Sequence, residues 1–122
     1  MTDREWQAID SLAKDEWEVF RQRLKAECEH MASAGSLDLR YTETSQSLTV
    51  ERYEGGEALK VLYVRYDPAV PRIVWRCMNP FEKSGWFTFR LAGSRLLYLA
   101  DNINTPLPMI ITRLTMCLAG QL

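Results

Sequence analysis

His30 is the sole histidine in this chain of 122 residues, and Cys28 stands two positions before it. A thiol and an imidazole act as nucleophile and base only when they hydrogen-bond. On a helix, at about 100° per residue, positions i and i+2 diverge by roughly 200°. Cys28 keeps step with apolar neighbours and His30 does not, so Cys28 is expected in the core and His30 at the surface. No cysteine or histidine pair has metal-ligand spacing. Asp101, Asn102 and Asn104 could offer oxygens to a hard cation, but no central glycine and closing glutamate frame them, and turn and cap chemistry accounts for all three. Asp38, Glu43, Glu51, Asp67 and Glu82 do acid–base work only if the fold gathers them. For Glu43 and Glu51 the ordinary partners are Arg40 and Arg52 across a hairpin. Gly55-Gly56 precedes no helix and so lacks the dipole that backs a phosphate loop. The chain therefore reads as leaning away from catalysis, with no cofactor and no metal.

A different set bears on recognition. Arg65, Arg72, Arg76, Arg90 and Arg95 interleave with Trp75, Trp86, Phe87 and Phe89, a mixture with which sheets can stack bases and hold phosphates. Strand alternation separates Trp75 from Arg76 and Phe89 from Arg90, apolar inward and arginine outward. The isoelectric point near 5.8 also lacks a basic footprint, which argues against nucleic acid. Trp86, Thr88 and Arg90 share one side of their strand while Phe87, Phe89 and Leu91 share the other. Apolar residues on both sides predict that part of the second face is covered too, by a subunit or an apolar ligand.

The length fits one domain, 1–122, and 47% hydrophobic residues supply a core without staples. The first residues lack the basic start and apolar stretch of a signal peptide. The apolar run from Pro106 to Leu118 is shorter than the roughly 20 residues that span a bilayer, so no membrane partner is expected. Three widely spaced cysteines, Cys28, Cys77 and Cys117, suit reduced core thiols and a cytoplasmic protein. Residues 1–60 carry 8 Lys+Arg against 13 Asp+Glu, a balance of −5, and the remainder 7 against 3, or +4, summing to the formal −1. An acidic helical half facing a basic sheet half explains the asymmetry.

Positioning elements follow from periodicity. Thr2 and Glu5 form a capping-box pattern, and Trp6, Ile9, Ala13, Trp17, Phe20, Leu24, Cys28 and Met31 recur every three or four residues, which predicts a long helix with one buried stripe. It is long enough that it must bend or project at one end, and Gly35 is its expected left-handed terminator. Leu12 and Val19 lie on a second, thinner apolar line of the same helix. From Leu37 onward the period becomes two, with turns at Thr44–Ser47, Glu54–Glu57, Asp67–Pro71, Asn79–Gly85 and Ala92–Ser94. Connections this short make antiparallel neighbours. Asp101–Pro106 reads as a turn into a second helix capped by Thr105 or Asn104, with Pro106 at its first position. That helix carries one charge, Arg113, and too little polar face to meet water all round.

The predicted fold is α+β: a long N-terminal helix, a meander of five or six antiparallel strands and a C-terminal helix, in a two-layer sandwich. No family motif stands in these residues; small acidic bacterial secretion chaperones also combine helices with an antiparallel sheet and dimerise, but their middle helix has no counterpart between Ala58 and Ala100. The expectation is a non-enzymatic binding or adaptor domain acting as a homodimer, with a possible protein partner. Its candidate interface is Leu12, Val19, Met109, Arg113 and Met116. The alternative is a carrier whose cavity between sheet and helices is lined by Trp17, Phe20, Trp75 and Phe89.

Overall fold

A computed structural model of the chain describes residues 2–78 and 81–120. Helix α1 (Asp3–Gly35) is followed by strands β1 (Asp38–Thr44), β2 (Ser47–Glu54), β3 (Glu57–Asp67), β4 (Arg72–Met78), β5 (Glu82–Ala92), β6 (Arg95–Ala100) and β7 (Ile103–Asn104), then helix α2 (Leu107–Ala119). The strands form one antiparallel sheet in chain order. The α+β class and the meander stand, with seven strands in place of five or six.

The additional strand lies where a plain turn was expected. Asp101 (φ 52°) and Asn102 (φ 64°) both take the left-handed conformation, which their short polar side chains tolerate, and so close a tight hairpin that pairs Ala100 with Ile103. Strand β5 also begins earlier than expected, since Met78 already pairs with Glu82 and Trp75 with Gly85. The expected Asn79–Gly85 loop is shorter for that reason; Asn79 and Pro80 lie outside the described residues.

Helix α1 is one unbroken element of 33 residues, about 50 Å long at 1.5 Å per residue. Thr2 caps it by accepting the Glu5 amide at 3.2 Å, and everything from Thr2 to Gln7 is exposed, so this end projects. Its terminator is Ser36, at φ 54°, rather than Gly35, which remains helical. Every third or fourth residue from Ile9 to Cys28 is buried, as the stripe requires. Trp17 Nε1 donates to the Ser45 carbonyl at 3.0 Å and Arg21 to that of Thr44 at 3.1 Å, which fixes the helix over the β1–β2 turn.

Both helices pack on one face of the sheet. Leu48, Val50, Leu62, Val64, Tyr66, Ile73, Cys77, Phe87, Phe89, Leu96 and Tyr98 point to that side and join the helix stripes in one core. Helix α2 starts at Leu107 with Pro106 as its cap, so the expected Thr105 or Asn104 cap is not used. Thr105 is buried and its hydroxyl donates to the Ile103 carbonyl at 3.0 Å instead. At the other end Arg52 of β2 donates to the Leu118 carbonyl at 2.8 Å, a cation placed against the negative end of the helix.

Two of the three cysteines are not the reduced thiols expected. Cys77 of β4 and Cys117 of α2 are joined as a disulfide with Cα atoms 6.0 Å apart, and Cys28 alone remains a free, buried thiol. Both partners sit on inward positions of facing elements, which sequence distance conceals. Closing a loop with a sequence separation of 40 restricts the unfolded chain, a contribution of roughly 2–4 kcal/mol. Cys117→Ser is accordingly expected to lower stability by about that amount in urea unfolding. Reductant should lower the midpoint of the parent protein and leave that of the variant in place; a parent indifferent to reductant would show that the bond contributes nothing.

Candidate functional site

The outward stripe of α2 gathers Met109, Arg113 and Met116, since steps of four and three return to one side of a helix. With Pro108 and Thr112 they line a shallow groove of about 390 Å³. Met109 is 58% exposed and Met116 37%, while Ile110, Ile111, Leu114, Cys117 and Leu118 supply the buried side. Leu12 and Val19 meet elsewhere: with Glu16, Ser94, Arg95 and Leu96 they line a separate hollow of about 220 Å³ between α1 and the start of β6. The five residues proposed as an interface thus fall into two surfaces.

Of the residues proposed as a cavity lining, Trp17, Phe20 and Phe89 are buried in the core, and Trp17 and Trp75 also border surface hollows. Trp17 stacks on Phe20 (6.1 Å between centroids) and on Tyr66 (6.2 Å), Phe20 meets Tyr98 at 6.1 Å, and Phe89 meets Tyr98 edge-on at 5.2 Å. Trp17, Phe20 and Phe89 are buried in this chain of rings, which fills the space a ligand would need. Trp75 is half-buried at the edge of the core, lying across Gly85 on the neighbouring strand, where a Cβ would come within 2.8 Å of its Nε1.

The carboxylates do not converge. Glu43 is held by Lys25 at 2.8 Å with Arg21 beyond, Asp67 by Arg72 at 3.1 Å, Glu82 by Arg76 at 2.8 Å, and Asp38 by Arg40 at 3.3 Å. The hydrogen bond from Lys25 keeps the Glu43 carboxyl below its ordinary range. Among the described residues no three of His, Cys, Asp and Glu are grouped as metal ligands. His30 is exposed, and burial, with Glu27 and Glu29 nearby, pushes the Cys28 thiol up to about 12, which holds it protonated and unreactive.

Of the arginine and aromatic set, Arg65, Arg72, Arg76 and Arg90 share the sheet face turned away from the helices with Trp86, while Phe87 and Phe89 point into the core. Arg95 lies apart, in the Leu12–Val19 hollow. Trp86 shares this side of its strand with Thr88 and Arg90, as alternation predicts, and within this chain it is 58% exposed. The contact it does make is with Arg72, whose guanidinium lies 5.5 Å from the ring centroid.

Taken together, the geometry defines a scaffold of one helix-backed sheet with open apolar surfaces. No described helix is long and apolar enough to cross a membrane. Comparison with protein-family models, with curated proteins and with solved structures finds no match for this chain.

The hydroxyl of Tyr66 is buried without a hydrogen-bond partner among the described residues, whereas that of Tyr98 faces the Glu16 carboxylate. Burial pushes both phenols up, Tyr98 strongly. An unpartnered hydroxyl carries a desolvation cost, of about 1–3 kcal/mol. Tyr66→Phe should therefore fold with equal or greater stability by thermal unfolding; a clear loss would reveal a hydrogen bond that matters to the core.

Proposed function

We propose that this chain is a non-catalytic binding or adaptor domain that works as a homodimer through the outward stripe of α2. The observation that carries the reading is the groove of Met109, Arg113 and Met116 with Pro108 and Thr112, an apolar strip on a helix whose opposite side is already committed to the core. Methionine adapts to irregular partners, and arginine with methionine is enriched where proteins meet. A symmetric pair would lay α2 against the same helix of a second copy, each Met116 covered by the other's strip. Leu12 and Val19, in their own hollow, then serve a second contact, with a protein partner.

A cytosolic setting belongs to the same reading; the Cys77–Cys117 disulfide counts against it, since such bonds persist mainly in oxidising compartments. Carriage of a small apolar ligand is the weaker reading, because the aromatic chain from Trp17 to Phe89 occupies the inner space.

Met116→Glu places a carboxylate in the centre of the proposed contact, where Arg113 offsets only part of its desolvation, and should shift a dimer towards monomer, raising the dissociation constant roughly tenfold or more. Sedimentation equilibrium of parent and variant reads this directly. A parent that is already monomeric, or a variant unchanged in mass, would sink the homodimer.

A further inference from the structure

On the sheet face away from both helices, the register sets Tyr63, Arg76 and Ser84 in one row and Arg65, Val74 and Trp86 in the next. Arg72 and Thr88 follow in a third row, with Arg90 two residues further along β5. Neither helix reaches this side, because the inward positions of the same strands are the ones that meet α1 and α2. A hollow of about 290 Å³ opens between Tyr63, Arg65, Arg72, Val74, Arg76 and Trp86.

We infer that this open sheet face docks an acidic segment of another protein, one in which carboxylates alternate with apolar side chains. The charge argument is local. Arg72 and Arg76 each have one carboxylate, Asp67 and Glu82, whereas Arg65 and Arg90 have no ion pair among the described residues, so the face carries an excess of guanidinium. Guanidinium forks match carboxylates two bonds at a time, which makes glutamate or aspartate the natural complement. The apolar complement is equally specific: Val74 and the exposed ring of Trp86 form a floor flanked by arginines, and Trp, Tyr and Arg are the residues that dominate binding energy between proteins.

The outward positions of β3, β4 and β5 around the hollow contain no lysine, although lysine is the usual choice for a solvated face. A polyanion such as single-stranded nucleic acid fits less well. The chain as a whole carries −1, its first sixty residues −5, and the positive excess is confined to a few side chains rather than spread along a track.

The test uses the full chain and a fluorescein-labelled synthetic peptide of about ten residues alternating glutamate and leucine, long enough at roughly 3.3 Å per residue to cross the central strands. Fluorescence anisotropy should show saturable binding that weakens with salt. Trp86→Ala, and separately Arg65→Gln with Arg90→Gln, should each weaken it roughly tenfold or more, the scale of losing a dominant contact. Circular dichroism confirms that the variants fold, as expected for substitutions on an open face. Met116→Glu should leave peptide binding intact whatever it does to subunit number, which separates this inference from the homodimer. No binding of the glutamate peptide, equal binding of its lysine counterpart, indifference to the variants, or preferential binding of an oligothymidylate of similar length would each overturn the assignment.

Discussion

Two helices and seven strands leave a geometric constraint that shapes everything else in this molecule: both helices lie on the same side of the sheet. Alternation then divides the strand residues into those that meet α1 and α2 and those that meet whatever lies outside. Ile73 and Cys77 fall in the first group, and Val74 and Arg76, their chain neighbours, in the second. A slip of one residue in any strand would exchange the groups, burying arginine and exposing the aromatic chain. Burial alternates over the paired middle of β2 and β3, at Leu48 and Val50 and at Leu62, Val64 and Tyr66, so the inner face is strongly specified there. The outer face inherits its composition from the positions left over, and there the choice of arginine, tryptophan and tyrosine is free of any packing demand from the helices.

How far the fold was legible depended on the range of the signal. The stripe from Ile9 to Cys28 repeats over five turns and identified α1 without ambiguity, and its first residues, Thr2 to Gln7, are exposed as a projecting end requires. The glycine pair between β2 and β3 also stood out, because both residues need positive φ (60° and 84°). Ser36, Asp101 and Asn102 adopt the same region without being glycine, so residue type alone pointed to Gly35 and to a plain turn. The two-residue strand β7 is too short for any period to register.

Surfaces were legible in parts. Met109, Arg113 and Met116 share a helix, so their spacing determined that they meet. Leu12 and Val19 belong to another element, and grouping them with α2 required knowing where α1 lies, which no local pattern supplies. Trp17, Phe20 and Phe89 are large and apolar whether they pack or line a cavity, so their types alone could not show that they stack in one chain of rings with Tyr98. The Cys77–Cys117 pairing was hidden for the same reason, since it joins inward positions on a strand and a helix far apart in the chain.

That bond also changes the molecule's topology as a covalent object. The segment from Cys77 to Cys117 becomes a closed ring holding β5, β6, β7 and most of α2, and the chain before Cys77 hangs from it as a tail that includes α1. A backbone break at an exposed turn such as Gly93-Ser94 would open the ring without releasing a fragment. A machine that unfolds proteins by pulling on one end would have to pass two strands of polypeptide at once when it reached the crosslink. Resistance to both kinds of attack would then depend on the oxidation state of a single pair of sulfur atoms.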